Sequence, residues 1–131
     1  MFVDASALVA MIVREPEAAV FGQRARQASV RYTSPIAAYE AVLAISRLRR
    51  ASIVQAQGVL DRFIARASIQ IVPITPEIGR IAIDAFARFG RSNHPARLNM
   101  GDCFAYACAH SLDVPLLCKG EDFSQTDIAL A

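Results

Sequence analysis

Lysine is nearly absent from this chain. Lys119 is the only one among 14 basic residues. The others are arginines, whose planar guanidinium suits two-point contact with phosphate or carboxylate. Long apolar runs are missing as well. Hydrophobic residues make up 54% of the sequence and mean hydropathy is +0.32, yet no run reaches the roughly 18 residues of a membrane-spanning helix. The surplus apolar surface therefore belongs in a core, in an interface, or in both. Met1 leads straight into Phe2, Val3 and Asp4, with no basic segment ahead of an apolar one as in a secretory signal. Cysteine is scarce and odd in number. Cys103, Cys108 and Cys118 lie in apolar segments, as expected of reduced thiols in a cytoplasmic protein, and they lack zinc-type spacing.

Other chemistries fall away for want of parts. There is no GxxxxGK[ST] and no GxGxxG, so a nucleotide cradle is unsupported. No Ser/His/Asp triad stands in a readable order. The only histidines are His94 and His110. An acid–base ribonuclease built on two histidines would need both, and His110, near the end of an apolar helix, reads as a packing or capping residue. No repeat, linker or low-complexity segment is visible, and 131 residues suit one domain spanning 1–131.

What is present is an alternation of short strands and helices. Phe2 to Asp4 reads as a first strand ending in an acid, followed by an apolar helix over Ala5 to Val13. A second helix is expected over Glu17 to Ala28 and a second strand over Val30 to Thr33. Ser34 with Pro35, and Thr75 with Pro76, are cap-then-proline helix starts. Ser52 and Gln55 fit a capping box. Ile69 to Val72 reads as a third strand, and Asn99, Gly101 and Asp102 open a helix of almost wholly apolar residues. Val114 to Cys118 suits an interior strand, and the tail could add an edge strand near Ile128. The pattern predicts an α/β sandwich with a mainly parallel sheet. In such sheets the ligand site lies beyond the carboxyl ends of the strands, where Asp4 and Asp122 fall.

Glu40 is a third acid of interest. On the helix from Pro35 its same-face neighbours are Ile36, Leu43 and Ala44, with no base four residues away on either side. A lone carboxylate on an apolar stripe is costly unless compensated. A divalent cation shared with Asp4, Asp102 and Asp122 would compensate it, because Mg²⁺ and Mn²⁺ prefer hard oxygen ligands. Each acid also has an ordinary structural reading. Asp4 could cap a helix, Asp102 could complement a helix dipole, Asp122 and Glu121 could be turn residues, and Glu40 could reach Arg47 or solvent. Four such coincidences at one edge are a weaker account than one shared site. With four of 12 acids gathered there, 14 basic residues would face the other eight, a balance suited to an anionic polymer.

In these motifs the sequence resembles the PIN-domain endoribonucleases, and within them the VapC-type toxins of type II toxin–antitoxin pairs. The anchors are MFVDASALVAMI with Asp4 and Ser6, SPIAAYEAVLAISR with Glu40, HPARLNMGDCFAYACA with Asp102, and LLCKGEDFSQTDI with Asp122. The resemblance implies a three-layer α/β/α sandwich around a short, mainly parallel sheet. It implies that Asp4, Glu40, Asp102 and Asp122 bind Mg²⁺ or Mn²⁺ and form the active site, with Ser6, Glu121 and Asp127 in support. It also implies a VapB-type antitoxin and a homodimer paired through helices. Hydrolysis at phosphorus would then leave a 5′-phosphate and a 3′-hydroxyl, with His94, Arg97 and Lys119 as candidates for holding the RNA backbone. Two other readings stay open. One is a noncatalytic PIN-like module binding RNA or protein. The other is a receiver-like phosphoacceptor domain, which fits less well because Asp4 lacks an acidic neighbour and the third strand ends in Val72 and Pro73.

Overall fold

The computed structural model describes residues 1–131 and has four strands and six helices. The strands are β1 (Phe2–Val3), β2 (Arg31–Thr33), β3 (Ile69–Ile71) and β4 (Leu116–Leu117). They pair only in parallel, in the order β3-β2-β1-β4. The helices are α1 (Ala5–Val13), α2 (Ala18–Gln27), α3 (Pro35–Arg49), α4 (Ile53–Arg66), α5 (Pro76–Phe89) and α6 (Met100–Ser111).

Alternation along the strands divides the interior in two. Val3 and Leu117 point into a core with α1, α2, α3 and α4, whereas Phe2 and Leu116 point into a second core with α5 and α6. Side chains one residue apart on a strand face opposite sides of the sheet, so two residues per strand serve both layers. The result is the α/β sandwich that the alternating elements predict, in the three-layer form that the resemblance implies. Leu8, Ile45, Leu60 and Leu98 are almost entirely buried, and burying such a side chain contributes about 1.5–3 kcal/mol.

Helix starts fall where the local signals place them. Ser34 caps α3 by accepting from Ala37 N, with Pro35 at the first position, and Thr75 caps α5 by accepting from Ile78 N. Ser52 and Gln55 form a reciprocal capping box on α4. Strand ends differ from the expectation. The last strand is shorter than Val114 to Cys118, and the tail adds only a single bridge between Leu116 and Leu130 instead of a strand near Ile128. No helix is long and apolar enough to cross a membrane.

Candidate active site

Short strands leave the residues that follow them at the carboxyl edge of the sheet. Asp4 follows β1 directly, and its backbone N–H still donates to Leu117 O at 3.0 Å. It is the N-cap of α1 and is buried. Its Oδ2 accepts from Ser6 N (2.9 Å) and from Ser6 Oγ (2.6 Å). Ser6 Oγ in turn accepts from Lys119 N at 2.9 Å, tying the segment after β4 to the start of α1. The capping reading of Asp4 is met through Oδ2, which leaves Oδ1 without a hydrogen bond from the chain.

Asp102 enters from α6. Asn99 and Asp102 form a reciprocal capping box, in which Asn99 N donates to Asp102 Oδ2 at 2.8 Å and Asp102 N donates to Asn99 Oδ1 at 3.1 Å. Glu40 arrives from the middle of α3 and lies against the first turn of α6. A Cβ added to Gly101 would overlap its carboxylate, so the side chain at 101 must be absent for Glu40 to sit there.

Asp4, Glu40 and Asp102 line one cleft of about 340 Å³, together with Ser6, Arg47 and Lys119. Their electrostatics record the crowding. Burial, followed by the charges of Asp4 and Asp102, pushes the Glu40 carboxyl up to about 7. Burial also raises Asp102, to about 6. The Asn99 backbone bond and Arg91 oppose that rise, while Asp4 and Asp122 add to it. Asp122 opens a 3-10 turn over Asp122–Gln125 and is exposed; unlike the other three acids it does not line the cleft, although its charge acts on Asp102. Cys118 lies among all these groups. Burial, and then Asp4, Asp102, Asp122 and Glu121, push its thiol up to about 12, which leaves it protonated and unreactive.

The other sequence candidates are placed differently. Glu121 is exposed beside Asp122. Asp127 does not line the cleft; it accepts from Tyr106 Oη at 2.6 Å and from Arg88 at 2.5 Å, joining the tail to α5 and α6. His94 Nδ1 accepts from Ala96 N, and its ring packs edge-on to Phe89 at 5.2 Å. Arg97 is exposed in the same loop, with φ +52°. Lys119 reaches the cleft, but its Nζ pairs with Glu15 at 2.8 Å and Glu17 at 3.5 Å. His110 stacks on Tyr106, as a packing residue does. Gly101 was legible in the sequence only as part of a helix start, and Arg47 only as an ordinary partner within reach of Glu40, with which it makes no ion pair. Their signal was spacing: Gly101 adjoins Asp102, and Arg47 stands two helical turns after Glu40.

Whether a divalent cation suits these residues can be judged from their oxygens. Oδ1 of Asp4, Oδ1 of Asp102 and both oxygens of Glu40 accept no hydrogen bond from the chain. The ion pairs of the protein involve Arg88 and Lys119 with other acids and none of these three. As the side chains lie here, no three or more Asp, Glu, His or Cys groups converge closely enough to hold a metal ion by themselves. Hard-oxygen donors, free and mutually repelling in an open cleft, fit an ion such as Mg²⁺, which keeps several waters and takes one or two carboxylates.

Comparison with known proteins identifies the family. The sequence matches the PIN domain family over residues 1–129. A VapC ribonuclease of Rhizobium meliloti is 40% identical, with 97% of this chain and 98% of its own length aligned. Ribonuclease VapC28 of Mycobacterium tuberculosis is 39% identical over 100% of this chain and 97% of its own. Among solved structures, the fold is similar to Mycobacterium tuberculosis VapC20, a sarcin-ricin loop cleaving toxin, with a TM-score of 0.76 at 15% identity over 99% of this chain and 97% of that one. It is also similar to a chain of VapBC2 from Rickettsia felis bound to a promoter DNA fragment, with a TM-score of 0.75 at 14% identity, covering 99% and 96% of the two chains. With a full-length family match and close relatives across the whole chain, the protein belongs to the PIN domain family, in its VapC-type ribonuclease branch.

Proposed function

We propose that this protein is the toxin of a type II toxin–antitoxin pair, a single nuclease domain over residues 1–131 that hydrolyses RNA with the help of Mg²⁺ or Mn²⁺. The observation that carries this reading is the meeting of Asp4, Glu40 and Asp102 in one cleft with no cation of the chain paired to them. Asp4 and Asp102 would be the principal metal ligands, with Glu40 and Asp122 completing the pocket. When bound, the cation supplies a water of lowered pKa and stabilises charge on a phosphodiester oxygen. Ser6 and Asn99 orient the Asp4 and Asp102 carboxylates by holding one oxygen of each. Glu40, whose oxygens accept no hydrogen bond from the chain, would be the group to take up a proton from the attacking water. Attack in line at phosphorus leaves a 5′-phosphate and a 3′-hydroxyl and does not use the RNA 2′-hydroxyl as nucleophile.

The solved relatives include VapBC complexes, which supports a VapB-type antitoxin as partner. Exposed apolar side chains on α5 and at the start of α6, Ile83, Phe86 and Met100, are compatible with a homodimer paired through helices. RNA substrate and unpaired thiols both suit the cytoplasm.

The test is cleavage of a mixed RNA panel by antitoxin-free protein, with Mg²⁺ or Mn²⁺ and then with excess chelator. Cleavage that requires the metal and yields 5′-phosphate ends is expected. Cleavage that persists in chelator would overturn the carboxylate mechanism, and a folded protein that binds RNA without cutting it would favour the noncatalytic module.

A further inference from the structure

Two cationic side chains reach the acid cleft, and their circumstances differ. Lys119 is neutralised, since Glu15 and Glu17 both hold its Nζ. Arg47 lines the same wall but is exposed, and its side chain joins no ion pair and makes no hydrogen bond within the chain. It sits on α3, seven residues after Glu40, so the two project from one helix face about two turns apart. A guanidinium beside a group of carboxylates, paired with none of them, keeps all five of its donors for something negative from outside.

We infer that Arg47 is a substrate-binding residue whose guanidinium holds an RNA phosphate next to the one that is cut. The inference rests on the nuclease reading for the identity of the substrate. An RNA strand entering the cleft brings its phosphates towards Asp4, Glu40 and Asp102, and that approach is repulsive. One fixed cation at the rim offsets the repulsion and sets the register of the strand without reading its bases. Arginine suits this task through its two-point fit to phosphate. Lys119, which the sequence alone offers for the same role, is already occupied by its own acids.

The experiment separates binding from cleavage. In chelator, and in an Asp102→Asn background that cannot cut, affinity for a fluorescein-labelled single-stranded RNA of mixed sequence is measured across a salt series. Adding R47A is expected to weaken binding about tenfold at low salt and to flatten the log affinity against log salt line by about 0.7, the loss of one phosphate contact on a single strand. R47K, which keeps the charge, retains the slope. R26A serves as control, because Arg26 lies at the opposite sheet edge with Arg31 and Ile69, the first residues of β2 and β3; it should change neither quantity. In the cleaving protein with Mg²⁺, R47A alone is expected to raise KM about tenfold and to change kcat by less than about threefold. A purely structural role for Arg47 would move the melting temperature and leave the salt slope in place. Unchanged slope and KM in a folded R47A protein would overturn the inference while leaving the nuclease intact. RNA binding with a normal Arg47 effect, but no cleavage by the wild type, would overturn the nuclease reading alone. No RNA binding by the wild type would overturn both.

Discussion

Two polar groups, one around the single carboxylate of Asp127 and one gathering Asp4, Glu40 and Asp102, meet α6 one turn apart, and they are treated in opposite ways. At Tyr106 the chain brings Asp127 a buried phenol at 2.6 Å and the Arg88 guanidinium at 2.5 Å. The Tyr106 and Arg88 bonds hold the Asp127 carboxyl below the usual range, while burial and then Asp127 push the Tyr106 phenol up to about 12. At Asp102, one turn earlier, the neighbours are Glu40 and Asp4, and both Asp102 and Glu40 are pushed upward. The first group is satisfied by the fold and closes the tail onto α5 and α6. The second is opposed by the fold. A natural sequence leaves such a conflict where something outside the chain resolves it.

The largest effect should come from removing one charge of the second group. Asp102→Asn keeps the shape and can still accept from Asn99 N, so the helix start survives. Metal-dependent cleavage should fall by more than about 100-fold, with little change in a circular-dichroism melt. Wild-type activity in this variant would dissolve the distinction between the two groups.

Next in size is a pH effect on stability in the absence of metal. A carboxyl whose folded pKa lies above its unfolded value makes the native state bind protons more tightly. The stability gained is complete below the unfolded pKa and is lost as pH rises through the folded value. For Glu40 that window runs from 4.5 to about 7, and for Asp102 from 3.8 to about 6. Denaturant titrations in chelator should therefore show stability declining between about pH 4 and pH 7. Glu40→Gln should flatten the decline and make the metal-free protein more stable at the alkaline end, at the cost of activity. A wild-type curve that rises over this range would show that the carboxylates are not in conflict.

Tyr106→Phe should have the smallest effect, because it removes one hydrogen bond from the satisfied group and leaves Asp127 its arginine. A loss of about 1 kcal/mol in stability is expected, with cleavage unchanged. Asp127 titrates with the opposite sign to Glu40: its contribution is present above 3.8 and is lost as pH falls through its lower folded value. A large loss of cleavage in Tyr106→Phe would join the two groups into one.

Much of the fold was legible because its signals are local. Ser34 with Pro35, Thr75 with Pro76, Ser52 with Gln55 and Asn99 with Asp102 each complete their hydrogen bonds within four residues, so no distant part of the chain can change their meaning. Strand limits were less legible. Leu116–Leu117 is shorter than its apolar run, and the tail pairs through Leu130 alone. Strand ends depend on partners from elsewhere in the chain, and apolar runs continue past the last paired residue.

The sequence by itself determined which acids were candidates, because an uncompensated Glu40 on an apolar helix stripe and Asp4 at a strand end are local facts, and because four motifs in order resemble one family. Only the tertiary structure decided which of the charged residues meet. Packing of α3 against α6 put Glu40 over Gly101 and left Arg47 free at the rim; the approach of the segment after β4 to the turn between α1 and α2 joined Lys119 to Glu15 and Glu17; and the return of the tail over α5 and α6 gave Asp127 to Tyr106 and Arg88. Hydrogen bonds within a helical turn follow from the order of residues. Charge pairing between residues tens of positions apart follows from which helix faces the core brings together.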